Sequence, residues 1–195
     1  MAEALARLVL MALAIMGSPG PATVSLVAAG SAYGARRSLP YLAGIVAGTA
    51  VVLVAIATGV TAALLAVPAL RTALLALSAA YILWLAWHIA TAPPQPGAGS
   101  ARAPSLAAGF GLAVANPKAW VAIAAVYSGV RVAGGVAADA GAKLAALGAM
   151  IVLINVTWLL AGASLAPLLR DPRRSRRVNV VLAVALVAAT ALVLV

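Results

Sequence analysis

Cysteine is absent from this 195-residue chain, which excludes disulfides, thiolate metal sites and dithiol redox chemistry while leaving the compartment open. Acidic residues are nearly absent as well: Glu3, Asp139 and Asp171 are the three. With 8% of residues charged and 66% hydrophobic, a water-soluble domain would have too little charge to cover its surface. The single histidine, His88, offers no cluster for a metal ion and no base paired in sequence with Ser18 or Ser31, the nearest nucleophile candidates. An enzyme reading is therefore set aside. What is present in quantity is long apolar runs, and these define an all-α integral membrane protein.

A spanning helix needs about 20 predominantly apolar residues, and about six transmembrane helices are predicted. The first runs from about Ala4 to Tyr33, with an interruption at Ser18 to Pro21. The second covers Leu39 to Val67 and carries the small pair Gly44 and Gly48, which permits close helix contact. The third runs from about Leu70 to Ile89 and ends in Tyr81, Trp84 and Trp87, aromatics suited to a membrane interface. A Pro-, Gly- and Ser-rich linker over 92–104 marks the midpoint. Segments four to six follow at about Ser105 to Val130, interrupted at Asn116-Pro117, at Ala142 to Leu169, and at Val178 to Val195. Apolar segments run nearly end to end, so the whole of 1–195 reads as one transporter-like membrane domain with repeat 1 over about 1–91 and repeat 2 over about 105–195.

The formal charge of +10 would suggest nucleic acid in a soluble protein, but here the basic residues sit in short gaps between apolar runs. The gaps after segments one, three and five hold Arg36, Arg37, Arg102, Arg170, Arg173, Arg174, Arg176 and Arg177; the other side holds Arg7, Arg71, Arg131 and Lys143. This excess places both termini outside the cytoplasm, provided that the first segment spans and is not re-entrant. The opening residues show no short apolar core with a small-residue cleavage site, so the first segment is expected to be retained.

Three segments per half give the two halves opposite orientation, a 3+3 inverted repeat whose first and fourth helices are both broken by proline. Proline removes a backbone donor and clashes with the preceding turn, and in lipid the freed groups need a use. Ser18-Pro19 and Asn116-Pro117 each match a helix start, a capping side chain followed by proline at the first helical position, with Pro21 then falling at the third. Helix starts expose amide donors and carry about half a positive charge. Two such starts meeting near the midplane make an electropositive pocket suited to a carboxylate. Gly20 lets a ligand approach the backbone, and Lys118 adds a full charge in the first turn. The alternatives at these places are a simple packing kink at Pro19 and Pro21, and a Lys118 that snorkels to an interface.

The candidate substrate-binding residues are thus Ser18, Pro19, Gly20, Pro21, Asn116, Pro117 and Lys118, joined by Asn155, which either lines the pathway or hydrogen-bonds between helices. No catalytic residue, metal site or cofactor is expected. No carboxylate falls inside an expected span, so a proton carrier, if there is one, is Lys118. His88 reads as an interfacial anchor, and Tyr33 and Tyr41 are expected at the headgroup level.

These residues also carry a family resemblance. Ser18-Pro19-Gly20-Pro21-Ala22, followed by Gly34-Ala35-Arg36-Arg37, resembles the first-helix motif of the LysE/RhtB family of bacterial amino-acid exporters, and Asn116-Pro117-Lys118-Ala119-Trp120 resembles its second motif. Tyr81, Leu83-Trp84-Leu85, Trp87, then Asn155, Trp158, Gly162 and Arg177-Val178-Asn179 extend the resemblance over nearly the whole chain. Ala22 departs from it, standing where many members carry Asn. The resemblance implies a multi-pass translocator of the bacterial inner (plasma) membrane that exports amino acids or related small carboxylate metabolites, driven by the proton gradient. The partners it implies are a small-molecule substrate and the lipid bilayer, with no nucleic acid; a homo-oligomer stays open. The competing readings are an exporter of an inorganic ion on the same fold, with an anion favoured, and a non-transporting membrane assembly protein.

Overall fold

The computed structural model describes residues 1–59 and 103–165, with isolated positions between 72 and 91 and between 173 and 188. Helix α1 (Ala2–Met11) continues into a π-helical turn (Ala12–Met16), the chain leaves helical geometry over 17–20, and α2 (Pro21–Arg37) follows. Next come α3 (Leu39–Ala57), α4 (Leu106–Ala115), α5 (Pro117–Gly129) and α6 (Val136–Leu165). No strand occurs among the described residues.

Among the described residues two helices, α3 and α6, are each long and apolar enough to cross a bilayer. Two further spans result if each bent pair counts as one: α1 with its π turn meets α2 at 69°, and α4 meets α5 at 62°. Both interruptions expected from proline are therefore real breaks, larger than a packing kink. The third and sixth expected segments, with Tyr81, His88 and most of the arginine-rich stretch, lie largely outside the described residues.

Helix ends fall where the backbone chemistry allows them. Gly34, with φ of 77°, takes the left-handed conformation that ends the regular part of α2. Ser38, fully buried, closes the corner by donating its hydroxyl to the Ala29 carbonyl at 3.1 Å. Gly59, with φ of 74°, follows the last turn of α3, which ends at Ala57, short of the expected Val67.

In lipid the alternative to helix packing is another apolar surface, so close contact, and not escape from water, holds spanning helices together. Glycines supply that contact here. A methyl group on Gly44 would run into the Leu106 carbonyl, and one on Gly109 into the Tyr41 carbonyl, so α3 and α4 touch backbone to backbone. Gly30 and Gly162 do the same for α2 and α6, against Leu159 and Val27. Each half of the chain thus packs a helix against one from the other half. Leu8, Ile123, Leu147 and Ile151 fill the core between α1, α5 and α6, and Leu26, Ile45, Leu112 and Leu159 fill the second core beside α4.

Tyr41 is 3% exposed, because the close approach at Gly109 sets α4 directly over it. One expectation is corrected. Helix α6 begins at Val136, six residues before the expected start, so that Asp139 is part of a long apolar helix. Its carboxylate accepts from the Val132 and Ala133 amides at 2.5 and 3.0 Å and pairs with Lys143 at 2.8 Å. Lys143, 6% exposed, also lies 4.9 Å from the Tyr127 ring centre. That arrangement folds the α5–α6 connection onto its own helix start and neutralises both charges.

Candidate functional site

The second break forms as the sequence predicts. Asn116 is the N-cap, its side-chain oxygen accepting from the Lys118 amide at 3.1 Å, and Pro117 takes the first helical position, where a missing donor costs nothing. On the other side of the break the Trp120 indole donates to the Val114 carbonyl at 2.8 Å. Every one of these groups lies within a few residues of the interruption.

The first break differs from the prediction. Helix α2 starts two residues later than expected: Gly20 is the N-cap and Pro21, not Pro19, is the first helical residue. A hydroxyl three residues on makes this start work, since the Gly20 amide donates to Thr23 Oγ1 at 2.8 Å and Thr23 donates back to the Gly20 carbonyl at 3.0 Å. Ser18 is no N-cap. It bonds backwards instead, to the Ile15 carbonyl at 2.8 Å.

A break also frees carbonyls at the end of the preceding helix. At the first break these are taken up from across the molecule. Lys118 Nζ donates to the Ser18 carbonyl, to Ser18 Oγ at 2.9 Å and to the Pro19 carbonyl at 3.0 Å, and the Trp158 indole donates to the Gly17 carbonyl at 3.1 Å. All three donors of the ammonium are thereby engaged. The charge sits at the carbonyl end of the first half-helix, where the aligned peptide dipoles are negative. Lys118 therefore ties the two breaks together. Gly20 leaves room for it, because a methyl group there would come within 2.5 Å of Lys118 Cδ.

Between the breaks and α6 lies a cavity of about 50 Å³, lined on its polar side by Gly20, Thr23, Thr49, Asn116, Lys118 and Asn155 and elsewhere by Met16, Ile123, Ile151 and Ile154. That is space for roughly three to five waters, at about 10–15 Å³ for each. Among the described residues no carboxylate lines it. Of the residues expected from the sequence, Gly20, Asn116, Lys118 and Asn155 come together here. Ser18 and Pro19 hold Lys118 from outside the lining, and Pro21 and Pro117 shape the helix starts without facing the space. Asn155 lines the cavity while bonding its own helix, at 2.8 Å to the Ile151 carbonyl, and not a neighbouring one.

Thr23, Thr49 and the indole of Trp158 are the functional-looking groups that sequence reasoning did not assign. Thr23 stands three residues after a Gly-Pro helix start, the capping position, and Trp158 stands three after Asn155, on the same helix face. Thr49 follows Gly48 with no comparable signal.

Comparison with known proteins agrees with this architecture. Residues 11–195 match the family described as LysE type translocator. The chain is 33% identical over 177 residues to the cysteine/O-acetylserine efflux protein of Escherichia coli strain K12, with 87% of each chain covered. It is 32% identical over the same length and coverage to the protein of that name in Salmonella typhimurium, and 33% identical to that of Shigella sonnei. No solved structure matches the chain.

Proposed function

The chain belongs to the LysE type translocator family, a helical membrane transporter by that membership, and from this premise we propose that it exports small amino acids or closely related carboxylate metabolites across the bacterial inner membrane. The observation that carries the reading is the Lys118 bridge: a full positive charge beside two helix starts, next to a cavity lined without a carboxylate. Similarity to cysteine/O-acetylserine efflux proteins supports an amino acid as cargo.

In the proposed cycle the substrate carboxylate competes with the Ser18 and Pro19 carbonyls for Lys118. A carboxylate is the stronger acceptor for an ammonium, so binding shifts the bridge from protein to ligand. The two broken helices then lose their shared tie. One half rocks against the other about the site, as expected for a 3+3 inverted repeat with its interruptions at mid-depth, and the cavity opens to the far side. With about 50 Å³ free, the cavity enlarges in this cycle as the halves part and the amino acid enters. Proton coupling through Lys118 would return the bridge when the substrate leaves.

A second reading is an exporter of a small inorganic anion, favoured by the small size of the cavity. Both are tested by comparing the medium of cells overproducing the protein with that of cells carrying an Asn116→Ala, Lys118→Met variant at equal membrane abundance. Accumulation of an amino acid with the wild type alone supports the first reading. Unchanged accumulation with the variant removes the bridge from the mechanism.

A further inference from the structure

Four polar side chains in the cavity are more than nine-tenths buried: Asn116 is 4% exposed, Thr23 and Asn155 6% and Thr49 8%. Thr23 both accepts from and donates to Gly20, which leaves Asn116, Asn155 and Thr49. Each makes one hydrogen bond to its own helix, and that bond decides what the side chain shows to the space. Asn116 accepts with its oxygen from the Lys118 amide, so its NH₂ faces outward as a donor. Asn155 donates its NH₂ to the Ile151 carbonyl at 2.8 Å, so its oxygen remains as an acceptor. Thr49 gives its only proton to the Ile45 carbonyl at 2.7 Å, which leaves lone pairs alone. Among the described residues nothing bonds the Asn116 NH₂, the Asn155 oxygen or the Thr49 lone pairs. Buried groups of this kind are kept for a partner.

The cavity is therefore polarised. Lys118 and the Asn116 NH₂ form a donor side at the break, and the Asn155 oxygen and Thr49 hydroxyl, on α6 and α3, form a neutral acceptor pair. Resting on the exporter reading above, we infer that Thr49 and Asn155 bind the α-ammonium of the substrate while Lys118 and Asn116 take its carboxylate. This selects zwitterions with small uncharged side chains. An acid without the ammonium leaves the acceptor pair buried and unpaired, which is how a polar site rejects such an analogue. A cationic amino acid brings a second ammonium to a cavity whose lining holds Lys118 and no carboxylate, so it is disfavoured too.

The test uses the full chain in lipid vesicles preloaded with unlabelled L-serine, with exchange of labelled L-serine as the readout. The competitors are L-serine, L-lysine and 3-hydroxypropionate, which is serine without its ammonium. With the wild type, 3-hydroxypropionate and L-lysine are expected to compete on the order of 100-fold more weakly than L-serine. In Asn155→Leu and Thr49→Val, apparent affinity for L-serine falls about tenfold or more while that for 3-hydroxypropionate hardly moves, so the preference collapses. Thr49→Ser, which keeps the lone pairs, restores it, and this pair carries the test if Asn155→Leu does not fold. Serine exchange with an undiminished preference in both Asn155→Leu and Thr49→Val overturns this inference and leaves the exporter reading standing. A wild type that exchanges no amino acid overturns both.

Discussion

The two breaks in this molecule look alike in sequence and are held in opposite ways. At Asn116 the repair is local: a side chain caps the next helix, and Trp120 covers a carbonyl six residues back. At 17–20 the new helix start is local, through Thr23, but the carbonyl side depends on Lys118 and Trp158, 100 and 141 residues away in sequence. One break stands by itself, and the other exists as drawn only while the second half of the chain is docked on it. An element whose hydrogen bonds come from a partner body can change when that partner moves, which is what a gate requires. In the proposed cycle, the asymmetry makes the first break the part expected to move.

Substitutions can break this comparison, and the largest effect is expected from Lys118→Met. It removes three charge-assisted hydrogen bonds at once and abolishes export; with the ammonium only half-buried and the freed carbonyls able to find other donors, the expected cost is about 3 kcal/mol of stability, near the upper value for a single such bond. Transport at matched abundance and thermal unfolding in detergent measure the two effects. Asn116→Ala comes next: loss of an N-cap costs about 1 kcal/mol, and export should fall while Asn116→Asp, which still caps, keeps the fold. Trp158→Phe keeps the ring and deletes one donor to Gly17, so a loss of about 1 kcal/mol is expected, confined to the first break. The smallest effect belongs to Trp120→Phe at the self-supported break, on the order of 0.5 kcal/mol and with export nearly intact. Equal effects for the two tryptophans would erase the asymmetry.

Much of this was visible in the residues, for identifiable reasons. Proline inside an apolar run is a strong local signal, so both interruptions were predicted where they occur, and Asn116-Pro117 was predicted residue by residue. At the first break two Ser/Gly-Pro pairs stand side by side, and either fits a helix start. The choice falls on Gly20-Pro21 because Thr23 lies three residues on, at hydrogen-bonding distance from the Gly20 amide. What sequence periodicity does not carry is contact between distant segments. The Lys118 bridge to Ser18, the burial of Tyr41 beneath α4 and the seating of Lys143 over Tyr127 all follow from how helices cross. Asp139 was assigned to a connection because a charge in an apolar stretch reads as its end; pairing with Lys143 one turn on lets the helix start earlier.

Hydrogen exchange of the reconstituted protein, read over peptides covering 12–24 and 112–121, is the most direct test of the bridge between the breaks. Lys118→Met should raise exchange sharply in 12–24 and leave 112–121 as in the wild type, since the Lys118 amide still bonds to the Asn116 side chain. Unchanged protection over 12–24, or a loss confined to 112–121, would contradict the dependence of the first break on the second.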